Sequence, residues 1–270
     1  VRCRFMKNAP ALIDVKIPQG PRAPVIATLP HSGRYVPPAV AARMIPRHAK
    51  WLKNTDWYLN ELYSFLPEIG VTTIAATHSR YVVDVNRDPA SAGPGEWFKS
   101  AVTLFTDMGD PVYSEPPTEI EAKTRVSQYH APYHLAVREQ LQSVLSMHGR
   151  VLLLDLHSFM GPTKHDVCLG NLQGATTTER TFETFSAAFR AGGFDVGENT
   201  PFPGGYIVRE YQRPPAVQSL LVELRYTNYM DCTRIDDPRP PSLDPRRLTD
   251  AAHRVRSVLE KVLCELPVDV

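Results

Sequence analysis

The run Val151-Leu152-Leu153-Leu154 constrains the fold more than any other stretch of the chain. A strand that is apolar at every position buries both faces, so it belongs inside a sheet covered on both sides. The run continues directly into Asp155-Leu156-His157-Ser158, which carries polar groups at the strand's end. Side chains alternate with period two, so Asp155 and His157 share one side. Val217–Leu224 is a second strongly apolar strand, and it carries Glu223 in Leu220-Leu221-Val222-Glu223-Leu224-Arg225.

Further strands are expected from Pro24 up to Pro30-His31, over Val71–Ala76 and at Val167–Leu169. Tyr81–Arg87 reads as an extended stretch, and Val102–Phe105 as a short strand within a long Gly- and Pro-rich loop over 89–117. Helical spacing marks Trp57–Leu66, with Thr55 or Asp56 as N-cap and Pro67 and Gly70 as the stop. It also marks Glu119–Met147 with a break or start near Pro132, Glu179–Gly192, and Pro245–Leu266 after a proline-rich connector from Pro238. Strands alternating with helices predict an α/β sandwich with a largely parallel sheet. No break in composition divides residues 1–270, so one domain is expected. Ligands of such sheets bind at strand ends.

Composition narrows the function classes. Thirty Lys+Arg against 29 Asp+Glu leave a net charge of +1, which disfavours a nucleic-acid binder. There is no apolar run of membrane-spanning length. Cys3, Cys168, Cys232 and Cys264 are scattered and form no CxxC pair. Free thiols and the lack of a signal-peptide pattern point to the cytosol. The 25 prolines, nearly twice the usual ~5%, predict many loops and sharply ended elements. No Walker loop, dinucleotide fingerprint or nucleophile elbow is present.

Several residues stand where chemistry could be done, each with a plainer alternative. His157 could bind a metal with Asp155 orienting it, or cap a strand end. His31, in Pro30-His31-Ser32-Gly33, could ligate where small residues allow close approach, or merely occupy a turn. Asp56 could ligate or cap a helix. Glu223 in an apolar run must be paired, protonated or working, either as a general base or as the partner of Arg225 or another arginine. Arg80 and Arg87, beside Asn86, suit a bidentate grip on a carboxylate, or pair with Asp84 or Asp88 at the surface. Tyr206 and Arg209, after Gly204-Gly205, sit on a segment that could close over a substrate or form a glycine-hinged hairpin. His130 and His134 have i, i+4 spacing with Pro132 between them, which fits packing or work beside a site better than a shared metal.

The order of these pieces tells more than any one of them. Pro-His-Ser-Gly is followed by Thr-Asp-Trp and a helix, then by Ser-Arg-Tyr-Val-Val-Asp-Val-Asn-Arg-Asp-Pro. Leu-Leu-Leu-Asp-Leu-His-Ser, Pro-Phe-Pro-Gly-Gly-Tyr-Ile and Val-Glu-Leu-Arg with Tyr229-Met230 come after. From about Pro24 to Asp231 this series resembles the N-formylglutamate amidohydrolase family, a relative of the zinc carboxypeptidases. The resemblance implies a three-layer α/β/α sandwich with a mixed, largely parallel, eight-stranded sheet of the phosphorylase/hydrolase-like kind. It implies one zinc, or another divalent metal, per chain. His31 and His157 look like the two metal histidines. The His-x-x-Glu carboxylate of the carboxypeptidases is missing, since Arg34 stands three residues after His31, and Asp56 is the substitute.

Asn86 and Arg87 look like the pair that holds a substrate carboxylate, with Tyr206 and Arg209 as further substrate contacts. Glu223 resembles the catalytic glutamate, and Arg80 or Arg209 would stabilise the oxyanion. The arginines on these segments, Arg225 among them, would face a small acidic N-formyl amino acid. The implied reaction releases formate from N-formyl-L-glutamate, a step of histidine degradation. The alternatives are a metallo-amidohydrolase or carboxypeptidase acting on another acylated substrate, or a metal-free binding protein of the same fold.

Overall fold

In the computed structural model, which describes residues 9–91, 94–231 and 241–266, the apolar run at 151 becomes the middle of the sheet. Cys3, Cys232 and the start of the connector at Pro238 lie outside the described residues. The strands are β1 (Ile13–Lys16), β2 (Val25–Leu29), β3 (Thr72–Ala76), β4 (Val151–Phe159), β5 (Val167–Gly170), β6 (Val196–Glu198) and β7 (Val217–Arg225). The helices are α1 (Pro38–Ala41), α2 (Pro46–Trp51), α3 (Leu59–Leu62), α4 (Glu119–Arg125), α5 (Ala131–His148), α6 (Glu179–Ala191), α7 (Tyr206–Tyr211) and α8 (Pro245–Glu265).

The described strands form one seven-stranded sheet in the order β1-β3-β2-β4-β7-β5-β6, against the eight implied by the family likeness. The β2–β3, β2–β4, β4–β7 and β5–β6 pairs are parallel, while β1–β3 and β5–β7 are antiparallel. The sheet is therefore mixed and largely parallel. All nine residues of β4 are buried, as the unbroken apolar run requires.

Two apolar layers cover the sheet. Leu152, Leu154 and Leu156 of β4 and Leu220, Val222 and Leu224 of β7 pack with Phe185 and Phe189 of α6 and Val255, Val258 and Leu259 of α8. Val151 and Leu153 face the other way, against Tyr133, Val137, Leu141 and Val144 of α5 and Ile207 and Tyr211 of α7. The parity that sends Leu154 and Leu156 to one layer sends Asp155 and His157 towards the other. Connections leave β2 towards β3 on one side, and the chain returns to β4 on the other. The carboxyl ends of β2 and β4 thus form the crevice where open α/β sheets bind ligands.

Three expectations are corrected. The helix predicted over Trp57–Leu66 shrinks to α3, followed by a 3-10 turn at Leu66–Ile69. Tyr58 precedes α3 in the left-handed region, at φ 59°, without a side-chain cap. Neither Thr55 nor Asp56 caps it, and the Thr55 hydroxyl donates to the Leu52 carbonyl instead. Tyr81–Arg87 is not a strand but a chain of turns. Asp84 Oδ1 accepts from its own neighbour's backbone, the Asn86 N–H, at 2.9 Å. Such a local bond competes with a strand ladder. Thr103 and Phe105 make only isolated bridges, not a strand. The helical stretch from 119 is present as α4, a π-turn at Val126–His130, and α5. The edge strands β1 and β6 were not expected, being short and only partly apolar. Of the cysteines, Cys168 is buried and Cys264 exposed, both free.

Candidate active site

His31 follows β2, and His157 lies near the end of β4; their rings approach to 4.7 Å between centroids. Gly33 permits the tight turn after His31, since a Cβ there would meet the His78 carbonyl oxygen at 2.3 Å. Asp56 arrives from a coiled segment in which Leu52, Asn54 and Tyr58 all have positive φ. Strained backbone of this kind survives only where its surroundings hold it, and here the clamps are visible. The Asp56 N–H donates to the His31 carbonyl at 3.0 Å. On either side, the Tyr226 hydroxyl donates to the Thr55 carbonyl at 2.7 Å and the Tyr229 hydroxyl to the Trp57 carbonyl at 3.0 Å.

The three side chains are buried, and one ligand atom from each lies within 4.8 Å of the others. Asp56 Oδ2 stands 3.1 Å from His157 Nδ1 and 3.9 Å from His31 Nδ1. The outer nitrogen of each ring is held by a further carboxylate. His31 Nε2 donates to Asp84 Oδ1 at 2.8 Å, and His157 Nε2 to Asp155 Oδ2 at 3.0 Å. This is how proteins orient histidines for a metal: the outer N–H bond fixes the tautomer and leaves the inner nitrogen's lone pair free. Asp155 is in turn fixed by the Thr28 hydroxyl at 2.8 Å and by Asn86 Nδ2 at 3.0 Å.

Electrostatics set the two rings apart. Burial, aided by Arg80, pushes the His31 ring down to about 4, so it is neutral. Burial also disfavours charge on His157, but the Asp155 and Asp56 carboxylates outweigh it and raise its pKa well above the usual imidazole range, so its Nδ1 also carries a proton, which a cation bound there would displace. Burial opposes charge on Asp84 too, yet Arg80 and His31 hold its carboxyl well below the usual range. Asp56, Asp84 and Asp155 are all buried beside the two rings, and Arg80, paired with Asp84, is the arginine buried with them. A cluster with that surplus of negative charge and two inward ring nitrogens fits a divalent cation.

Glu223 stands beside His157 in the β4–β7 register. Its Oε2 is buried and has no hydrogen-bond partner among the described residues. Burial pushes its carboxyl up to about 8, against the pull of the His157 charge. Arg225 is not its partner, nor does it face the cavity; its Nη1 donates to the Lys164 carbonyl at 3.0 Å.

His31, Asp56, His157 and Glu223 open into a cavity of about 1140 Å³, which Arg80, Asn86, Arg87, Tyr206 and Arg209 also line. Arg80 pairs with Asp84 at 2.6 Å, not at the surface but buried, and lies 4.2 Å from the centroid of the Trp97 ring. Arg87 has no carboxylate partner among the described residues; it donates to the carbonyls of Asn86 and Trp97. Tyr206 and Arg209 belong to α7 rather than to a hairpin, and Arg209 is exposed at the cavity. Asn86 Oδ1 accepts from the Ile207 N–H of that helix at 2.8 Å. Gly205 allows the approach, because a Cβ would stand 2.7 Å from the Asn86 amide. Sequence reasoning overlooked Asp84 as a working residue, and also Thr28, Tyr226 and Tyr229; the Tyr229-Met230 pair in the motif series was the only signal for the last.

Fold and site together define a class of α/β proteins that keep a candidate metal centre at the carboxyl ends of a mixed sheet. The model of the N-formylglutamate amidohydrolase family matches residues 23–230, and the chain belongs to that family. It is 34% identical over 225 residues to an N-formylglutamate deformylase of Pseudomonas aeruginosa, covering 78% of this chain and 83% of that one. It is 31% identical over 227 residues to an N-formylglutamate deformylase of Pseudomonas putida, covering 78% and 84%. The crystal structure of an N-formylglutamate amidohydrolase from Ralstonia eutropha JMP134 superposes with a TM-score of 0.77 at 23% identity, over 94% of this chain and 96% of that one, a likeness of fold. No helix among the described residues is long and apolar enough to cross a membrane.

Proposed function

We propose that this chain hydrolyses the formyl amide of N-formyl-L-glutamate to formate and L-glutamate, as a step of histidine degradation. The observation that carries this reading is the buried His31–Asp56–His157 triangle, with Glu223 beside it in one cavity, its buried Oε2 without a partner among the described residues. The two Pseudomonas relatives named N-formylglutamate deformylase support the choice of substrate.

His31, Asp56 and His157 would hold zinc or another divalent cation. When bound, that cation supplies Lewis acidity for the formyl oxygen and acidifies water in the site. Glu223 takes a proton from the attacking water and passes it to the departing amine as the carbon–nitrogen bond breaks. Its apolar surroundings suit it to both halves of that transfer. Asp84 and Asp155 keep the two imidazoles in one tautomer throughout. Arg87 with Asn86, together with Arg209 and Tyr206, grips the substrate carboxylates. The Arg80 guanidinium, tied to Asp84, adds positive charge where negative charge develops on the formyl oxygen.

The cavity is roomy for so small a substrate, which favours a second reading in which a larger N-acyl amino acid is hydrolysed. Release of acid from a panel of N-formyl and N-acetyl amino acids, with and without a chelator, tests both. N-formyl-L-glutamate is expected to react fastest, and chelation to stop the reaction. Formate release that ignores the chelator, or no release from any member of the panel, would overturn the proposal.

A further inference from the structure

His130 and His134 take no part in the chemistry above, yet both are buried and stack with centroids 4.2 Å apart. The π-turn at Val126–His130 leads directly into α5, and both rings meet the loop that carries Asn86 and Arg87. His134 Nε2 lies 2.7 Å from the Val85 carbonyl oxygen, and its Nδ1 lies 2.5 Å from the Tyr211 hydroxyl. A carbonyl only accepts, so the proton sits on Nε2 and Nδ1 accepts from Tyr211. His130 Nε2 donates to the Arg87 carbonyl at 2.9 Å. Burial lowers the pKa of both rings, that of His134 to about 3, in keeping with neutral imidazoles.

The two accepting carbonyls flank Asn86. Its side chain in turn donates to Asp155, lies 3.0 Å from His157 Nε2 and accepts from the N–H of Ile207 on α7. A leucine or phenylalanine would fill the same space. Neither could donate to a carbonyl, and the loop between those carbonyls has no strand ladder to hold it. We propose that His130 and His134 are positioning residues: by holding the carbonyls of Val85 and Arg87 they fix the Asn86 amide against His157 and the Arg87 guanidinium on the cavity wall. The kinetic consequence rests on the deformylase reading, whereas the geometric claim does not.

The test compares His130→Ala, His130→Gln and His134→Phe in steady-state kinetics with N-formyl-L-glutamate and in hydrogen exchange of a peptide spanning residues 83–89. His130→Ala is expected to raise KM about 10-fold, the weight of one lost hydrogen bond, with kcat nearly unchanged. Exchange over the loop should quicken about 10-fold as local opening becomes easier. His130→Gln, whose amide N–H can reach the same carbonyl, should recover both. His134→Phe keeps the ring volume and should lower kcat as well, because Asn86 touches His157. Folded His130→Ala and His134→Phe proteins with unchanged kinetics and unchanged exchange would overturn the proposal, as would His130→Gln failing to recover. Should His130→Ala not fold, His134→Phe and His130→Gln carry the same decision. A wild-type chain that releases no formate would remove the deformylase reading, and the exchange data would still decide the positioning claim.

Discussion

The candidate site is built from two kinds of scaffold. Asp155, His157 and Glu223 stand on β4 and β7, where nine register pairs fix them side by side. Asp56, Arg80, Asp84, Asn86 and Arg87 stand on coil, where no ladder exists. The coil is held by single bonds from far along the chain: Tyr226 and Tyr229 on the carbonyls beside Asp56, His130 and His134 on those beside Asn86. A sheet places side chains through a rule of alternation that acts on every residue. Coil places them one contact at a time, so it can bring a carboxylate to an angle no strand offers, at the expense of many dedicated partners.

That contrast can be broken by substitution. His157→Ala removes a sheet-borne group that touches both Asp56 and Asp155, and metal content by elemental analysis is expected to fall to near zero along with turnover. A variant retaining one metal per chain would remove His157 from the ligand set. Leu154→Ala, in the same strand but facing the opposite layer, should cost about 2–5 kcal/mol in denaturant unfolding while metal content stays normal. Lost metal in that folded variant would show that sheet packing and site are not separable. On the coil side, Asp84→Asn leaves buried Arg80 without its counter-charge, so it should cost about 3–5 kcal/mol in denaturant unfolding and weaken metal affinity in the folded variant about 10–100-fold, read by competition with a chelator. Arg87→Ala should have the smallest effect, raising KM for N-formyl-L-glutamate about 10-fold with little change in kcat. Unchanged kinetics would take Arg87 out of the carboxylate pocket.

The same contrast explains what could be read from the sequence. His157 and Glu223 were legible because a charged group at the end of an apolar run has few innocent explanations, and period two says which way it faces. His31 was legible as the residue that ends a strand before small residues. Asp56 was open to two readings, ligand or helix cap, and the family likeness favoured the first while local spacing favoured the second. Local spacing also turned Tyr81–Arg87 into a strand. The run of Val82, Val83 and Val85 looks extended, but Asp84 bends it by accepting from the Asn86 N–H, and that bond depends on an orientation set by Arg80 and His31. Asp84 itself was read as an ordinary partner of Arg80. The pairing is present, but its burial and its other oxygen on His31 are tertiary facts that no window of sequence contains. For the same reason Arg225, two residues after Glu223, was drawn into the site by proximity in sequence, while the fold turns it to the Lys164 carbonyl.

In the proposed reaction a metal held by His31, Asp56 and His157 works with Glu223 as the proton carrier. This is tested most directly by measuring metal content and formate release on the same samples of wild type and Glu223→Gln. Equal metal is expected in both, with turnover of the variant lower by about 10²–10⁴-fold, the usual weight of general acid–base catalysis. A Glu223→Gln protein with full metal and near-normal kcat would contradict it.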